Sequence, residues 1–239
     1  MKKRLDVLLV ERGLAESRAQ AQALVLAGRV SGYSKAGTAV DEDADLEVSE
    51  PARFVSRGGE KLANALEALE VDVDGEDCLD VGASTGGFTD CLLQGGAARV
   101  CALDVGYGQL HPKLRDDPRV TVLERRNVRN LRCEELPFAP TFLTCDVSFI
   151  GVAKALPPAL ACASPGWRAF VLVKPQFEAG RKDVGKGGVV RDPEVRQRVV
   201  DEVAARVPDW GARVAGVADS GLPGPKGNRE VFLYVVDDR

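Results

Sequence analysis

The stretch Cys78-Leu-Asp-Val-Gly-Ala-Ser-Thr-Gly-Gly-Phe-Thr-Asp-Cys91 begins as the end of an apolar, strand-like run. It passes through a glycine-rich loop, Gly82 to Gly87, and then turns helical, with Phe88, Leu92 and Leu93 at helical spacing. A strand, a tight loop and a helix opening on it is how open α/β sheets hold a nucleotide-like ligand at a strand's C-terminal end. The alternative is a glycine turn that only packs a helix against a sheet.

Downstream, strand-like runs recur at Arg99–Leu103, Val120–Leu123, Phe142–Asp146, Ala169–Val173 and Arg213–Asp219, with helical or turn-rich stretches between them. A last run, Val231–Val236, follows after a Gly/Pro-rich loop with no helix. Alternating strands and helices predict an α/β fold, a seven-stranded Rossmann-like sheet, mostly parallel and covered on both faces. The helix-free closing pair predicts an antiparallel strand at one edge, because parallel neighbours need a long crossover. Seven strands with that ending resemble the methyltransferases that use S-adenosylmethionine.

The loop itself narrows the ligand. A dinucleotide site wants G-x-G-x-x-G, and Ser84 stands where its second glycine belongs. Asp80 in the first strand, Asp104 closing the second and Asp146 closing the fourth make acidic walls. Such walls suit a cation without phosphates and would repel a pyrophosphate. Asp104 follows Gly82 by 22 residues, about where an acid bonds ribose hydroxyls in such folds. S-adenosylmethionine is therefore the expected cofactor, held by Asp80, Gly82, Ala83, Ser84, Thr85, Gly86, Gly87, Phe88, Asp104 and Asp146.

Before about residue 55 the pattern changes. Leu5, Leu8 and Leu9 mark a short amphipathic helix that Gly13 can end. Ser17 and Gln20 start a second helix, with Ala21, Leu24 and Val25 inward and Gly28 as its stop. Val30 onward is short and strand-like, ending in Asp45-Leu-Glu-Val-Ser49. Residues 1–35 hold seven basic and three acidic residues, and residues 36–50 hold six acids and no base. Two solvated faces would explain that contrast, and so would a basic face that meets phosphate. The expected boundaries are a small domain over 1–50, a linker over 51–59 and the α/β domain over 60–239.

Arg4-Leu-Asp with Leu8, Gly13, Ser17-Arg18, Ala21 and Gly28-Arg-Val30 resembles the small α+β RNA-binding fold first seen in a small-subunit ribosomal protein. That resemblance implies Lys3, Arg4, Arg18 and Arg29 as RNA contacts. Ser31-Gly-Tyr-Ser-Lys35 departs from that fold's usual hairpin.

The totals exclude several classes. No apolar run of 18 residues lacks a charge or helix breaker, so no spanning helix is expected. Asp6 and Glu11 interrupt the apolar N-terminal run, and no small-residue cleavage site follows, which favours a cytoplasmic protein over a secreted one. Six cysteines form no C-x-x-C pair, and most sit in apolar runs as small buried hydrophobes. One histidine, His111, argues against a His-based triad and excludes a His-rich metal site, so no metal is expected.

Chemistry then falls to lysines and carboxylates. Lys61, near the start of a helix expected from Glu60, reads alone as a solvated surface lysine. Asp146 ends the fourth strand, Lys174 ends the fifth and Glu230 opens the last. This Lys–Asp–Lys–Glu order resembles the tetrad of FtsJ-type ribose 2′-O-methyltransferases. Ser56-Arg-Gly-Gly-Glu-Lys61, the Leu79–Leu93 loop, Asp104-Val-Gly-Tyr-Gly-Gln-Leu-His111, Asp146-Val-Ser-Phe-Ile150, Lys174-Pro-Gln-Phe-Glu-Ala-Gly180 and Gly224-Pro-Lys-Gly-Asn228 resemble the TlyA family. The resemblance implies an S-adenosylmethionine-dependent enzyme that methylates a cytidine 2′-hydroxyl of ribosomal RNA. The lack of an N-terminal extension and the early end resemble the family's shorter form and imply the large subunit as substrate. Lys174 would contact the hydroxyl, Asp146 and Glu230 would hold the two lysines, and Lys61 would steer the ribose. The basic, glycine-rich segment 178–192 is either a flexible loop or an RNA-contacting lid. Arg181, Lys182 and Lys186 would touch phosphate there, with Arg57 as a further RNA contact. Three other readings stand beside this one: a membrane-damaging haemolysin, a non-catalytic RNA-binding assembly factor and an NAD-linked oxidoreductase.

Overall fold

The computed structural model describes residues 2–50, 52–180, 182–224 and 226–239. The chain divides into two compact units, Met1–Ala52 and Arg53–Arg239.

In the first unit, β1 (Lys2–Arg4) leads directly into α1 (Leu5–Glu11), and α2 (Arg18–Leu26) follows. Ser17 caps α2 by accepting from Gln20 N at 3.2 Å. Gly13 and Gly28, at φ +71° and +69°, end the two helices in the left-handed conformation that favours glycine. Leu5, Leu8, Leu9, Ala21, Leu24 and Val25 bury the facing helix sides over Val30, Val40 and Leu46. The strand content differs from expectation. β1 pairs antiparallel with β2 (Ala39–Asp41), and the expected strand near residues 45–49 is reduced to one Val30–Val48 bridge.

The second unit begins with α3 (Arg57–Ala68) and is built on β3 (Asp77–Val81), α4 (Gly87–Gln94), β4 (Arg99–Leu103), α5 (Pro112–Arg115), β5 (Val120–Leu123) and β6 (Phe142–Cys145). Two short helices, α6 (Val152–Ala155) and α7 (Pro157–Leu160), precede β7 (Arg168–Val173). Then come α8 (Pro175–Glu178), α9 (Pro193–Ala204), β8 (Ala212–Asp219) and β9 (Val231–Asp237). The seven strands are ordered β5-β4-β3-β6-β7-β9-β8. The first five run parallel, and β9 enters antiparallel between β7 and β8. The closing pair is therefore a hairpin at one edge, with its second strand tucked inward.

Strand alternation sorts the core into two layers. Leu79, Val81, Leu143, Val171, Val173 and Trp167 pack on one face. Cys78, Val100, Phe142, Phe170, Leu172 and Phe232 pack on the other, under α3 and α4. Phe232 stands at the centre of that second layer, 5.7 Å from the Phe88 ring and 5.9 Å from Phe170.

Two sequence expectations change. Residues 53–59 pack onto the second unit: Phe54 is buried and Val55 N donates to Asp90 Oδ2 of α4 at 2.9 Å. Ser56, accepting from Gly58 N, starts α3 at Arg57 rather than Glu60. Of the cysteines, Cys78, Cys91, Cys101 and Cys145 are free and buried, whereas Cys133 and Cys162 form a disulfide. Burial pushes the Cys91, Cys101 and Cys145 thiols up to about 12, which leaves them inert.

Phe232→Ala opens a cavity where three aromatic rings meet. The expected loss is about 3–5 kcal/mol of unfolding free energy, read from urea or guanidinium denaturation of the full chain.

Candidate active site

The glycine loop leaves β3 at Val81 and doubles back over the sheet's C-terminal edge. Gly82 and Ala83 both donate backbone N–H to Leu103 O, at 2.8 and 3.1 Å. Gly82 sits at φ +86°, and a Cβ there would fall 2.5 Å from the Asp146 carbonyl oxygen. Gly87 opens α4 so close to α3 that a Cβ would lie 2.2 Å from Ser56 Oγ. Small residues thus let a loop and two helix N-termini converge. Asp104 fixes the loop's far side, accepting from Ser84 N at 2.8 Å and Gly106 N at 2.6 Å.

Two cavities adjoin this loop and share Gly82, Ser84 and Asp146. The larger is about 730 Å³, with Asp104, Val105, Gln109, Asn127, Val128, Phe149, Ile150 and Lys154 in its wall. The smaller is about 240 Å³ and adds Ala83, Thr85, Gly87 and Phe88 to Arg57, Lys61, Lys174 and Glu230. Gly86 lines neither and instead gives room to Leu110 and Leu114.

Asp80 requires a correction. It is fully buried on the α4 side of β3 and takes hydroxyl hydrogen bonds from Thr89 at 2.7 Å and Thr144 at 2.9 Å. It does not line either cavity, because a residue inside the strand follows strand parity, whereas Asp104 and Asp146 lie just past their strand ends. Burial raises its carboxyl to about 6.

The four residues expected to carry chemistry come from α3, the ends of β6 and β7, and the entry to β9, and all four line the smaller cavity. They form two ion pairs. Lys61 Nζ meets Glu230 Oε2 at 2.5 Å with both side chains under 10% exposed, so Lys61 is no solvated surface residue. Lys174 pairs with Asp146 and also donates to Ser148 Oγ at 3.1 Å. Gln176 Nε2 donates to Glu230 Oε1 at 3.1 Å. Taking one member from such a buried pair typically costs about 3–5 kcal/mol, because the other charge is stranded.

Two wall residues carried no sequence signal of their own. Asn127 and Val128 follow β5 at the same sheet edge, in a segment with no motif. Phe149 is 91% exposed at φ +66°, with its ring 5.1 Å from Phe177 and Phe177 5.9 Å from Lys174 Nζ. Asn228 is buried and ties the base of the basic loop, accepting from Val190 N and donating to Gly188 O, both at 2.9 Å.

The expected RNA contacts differ in surroundings. Arg57 is exposed at the first turn of α3, and Lys182 and Lys186 are exposed on their loop. Arg181 lies outside the described residues. In the first unit, Arg4 and Arg18 stay more than half exposed while sharing Asp6. Lys3 pairs with both Glu11 and Glu42, and Arg29 Nε donates to Ser49 O at 2.7 Å. Tyr107 is covered by Arg125, 4.0 Å from its ring centre, and His111 caps α5 by accepting from Lys113 N.

The FtsJ-like methyltransferase family profile matches residues 54–236, and the S4 domain profile matches residues 3–31. A Mycobacterium tuberculosis protein named 16S/23S rRNA (cytidine-2′-O)-methyltransferase TlyA is 51% identical over 97% of this chain and 89% of its own. The chain belongs to the TlyA family. Another TlyA-like relative, Hemolysin A of Brachyspira hyodysenteriae, is 40% identical over 98% of this chain and 99% of its own. A solved Streptococcus thermophilus structure, described as a candidate hemolysin, is 40% identical, with a TM-score of 0.77 over 99% of this chain and 88% of that one.

The raised Asp80 carboxyl gives a pH prediction for this TlyA-family chain. An unfolded aspartate titrates near 3.9, so between roughly pH 4 and 6 the folded chain holds a proton that the unfolded chain has released. Asp80's share of stability is therefore full at the acid end and lost as pH rises through 6. Subtracting the unfolding free energy of Asp80→Asn from that of the wild type at each pH isolates it. The difference should fall by up to ~3 kcal/mol between pH 4 and 7. A flat difference would mean that the folded Asp80 carboxyl is not raised.

Proposed function

We propose that the chain is an S-adenosylmethionine-dependent ribosomal RNA 2′-O-methyltransferase that acts on a cytidine ribose. The observation that carries this reading is the smaller cavity, where two lysine–carboxylate pairs meet beside a glycine loop that a second, larger cavity also touches.

The residues fit the cofactor. The larger cavity has the size of a small-molecule site and joins apolar walls to a few polar groups. Gly82 keeps the loop flat against the Asp146 carbonyl, so a ligand can approach the backbone closely. Asp104, pinned through two backbone N–H groups, would meet ribose hydroxyls, and Asp104 and Asp146 together favour a cation. Bound there, S-adenosylmethionine supplies an electrophilic methyl group on a sulfonium.

The chain's own residues then align the acceptor. Lys174 Nζ is held by an ion pair with Asp146 and a hydrogen bond to Ser148 Oγ. That cation would orient the 2′-oxygen and make its hydroxyl easier to deprotonate, so that the proton leaves to water as the oxygen takes the methyl group. Lys61, locked by Glu230 and through it by Gln176, sets the ribose from the other side. Phe149, a strained and exposed aromatic at the mouth, offers a face on which an unstacked base can rest. Arg57, which lines the smaller cavity, would neutralise a backbone phosphate beside it; Arg181, Lys182 and Lys186 of the basic segment are the further proposed phosphate contacts, and the first unit adds others.

The M. tuberculosis relative is named for both ribosomal RNAs. Large-subunit RNA is the proposed substrate, and the proposed place of action is the cytoplasm, where ribosomal subunits are found. Among the described residues no helix is long and apolar enough to cross a membrane.

Each purified ribosomal subunit, incubated with the protein and methyl-labelled S-adenosylmethionine, tests the reading. Label on a cytidine 2′-oxygen of large-subunit RNA is expected. Label in the small subunit alone would overturn the choice of subunit, and none in either subunit or in free rRNA would overturn the function. Lys174→Ala should lower kcat at least ~100-fold while cofactor affinity, measured by calorimetry, stays near wild type. Near-normal turnover would remove Lys174 from its assigned role.

A further inference from the structure

Asp6 lies in the first turn of α1 and is completely buried, an unusual place for a carboxylate. Four hydrogen bonds hold it. Arg4 grips it through Nε at 3.0 Å and Nη2 at 2.9 Å, Arg18 Nη2 reaches it at 3.0 Å and Gln22 Nε2 at 2.9 Å. Arg4's bonds first, then those of Gln22 and Arg18, keep the carboxyl well below its usual range, so it stays ionised.

The two guanidinium groups are not consumed by this arrangement. Their side chains remain 53% and 57% exposed, and one buried negative charge faces two positive ones. Arg4 keeps Nη1 free and Arg18 keeps Nε and Nη1 free of any other acceptor among the described residues. Arg4 also passes beside Gly37, where even a Cβ would stand in ordinary van der Waals contact with Nη1 and Nη2, at 3.4 Å. Lys3 contrasts with them, its one charge facing Glu11 at 2.8 Å and Glu42 at 3.2 Å. Excess positive charge in this cluster therefore resides on the Arg4–Arg18 pair, with Arg4 gripped through two nitrogens and Arg18 tethered through one.

We infer that Asp6 is a positioning residue that sets Arg4 and Arg18 as one fork for a single phosphodiester of the substrate RNA. Planar guanidinium groups bond phosphate through paired N–H donors, and orienting them before binding removes the side-chain entropy that two free arginines would lose. The inference rests on the RNA-directed reading above and goes beyond it by naming the chemical unit bound and the residue that arranges the binders. Gln22 adds a fourth bond to the carboxylate, on Oδ2, without adding charge. The fork then acts as a unit, so its losses do not add.

The test uses the full chain and large-subunit rRNA, with binding read by filter retention over a salt series and separately from methylation. Asp6→Asn should weaken binding roughly 10-fold and reduce the magnitude of the salt slope by about one. The loss should fall on the KM for RNA rather than on kcat. Adding Asp6→Asn to Arg4→Ala/Arg18→Ala should weaken binding no further. In the wild type, the Arg4 Nε–H NMR signal should be protected from exchange, and that protection should vanish in Asp6→Asn. Arg4→Lys/Arg18→Lys keeps both charges and a partner for Asp6, and it decides the matter if Asp6→Asn melts early. A fork predicts a loss of affinity with wild-type circular dichroism, and charge alone predicts none. Wild-type affinity and salt slope in a folded Asp6→Asn, or in the double lysine variant, would overturn the inference. A wild-type protein that does not bind rRNA at all would instead overturn the RNA reading.

Discussion

The contact between Lys61 and Glu230 joins residues 169 positions apart, inside a site where neither side chain meets much water. Two charges taken out of solvent are tolerated only if they are held face to face, and everything around them serves that end. α3 must start three residues before Glu60 to aim Lys61 inward. β9 must enter beside β7 to carry Glu230 to the same sheet edge as Lys174 and Asp146. Gln176 and Gly224 flank the carboxylate, the first as a donor and the second by leaving room, since a Cβ on Gly224 would come within 2.6 Å of Oε1.

Close approach is the second constraint. The loop after β3, the N-terminus of α4 and the N-terminus of α3 share one small volume, and glycine at 59, 82 and 87 makes that possible. Phe54 lies where a side chain on Gly59 would be, 2.3 Å from its Cβ. The segment that leads out of the first unit is therefore part of the floor beneath the glycine loop, tied further by Asp90 to the backbone of Val55.

Strand positions were legible to within about a residue because buried parallel strands are continuous apolar runs bounded by turn residues. The four charged residues were legible because each stands at a strand or helix terminus within a recognisable motif. Other features left no such trace. β1 is three basic residues, Lys2 to Arg4, with no apolar pattern, and only its pairing with Ala39–Asp41 makes it a strand. Asp80 resembled a wall residue because it sits near the loop, but the parity of the strand turned it inward toward Thr89 and Thr144. The Cys133–Cys162 link joins residues 29 apart with no motif to announce it, and spacing alone does not reveal cysteine pairing. Asn127 and Val128 entered the wall of the larger cavity only because β5 ends beside β4.

The strand order also has a consequence for how the protein is made. Of the seven strands of the sheet, β9 is synthesised after the other six, yet it sits between β7 and β8. While the chain emerges from its own ribosome, the edge of β7 has no partner in the sheet and Lys61 has no counter-ion, until the residues around Glu230 clear the exit tunnel. An unfinished nascent chain thus has a glycine loop without a completed reaction centre. The enzyme becomes competent in one late step, when β9 pairs with β7 and brings into the sheet β8, which has no other strand partner among the described residues.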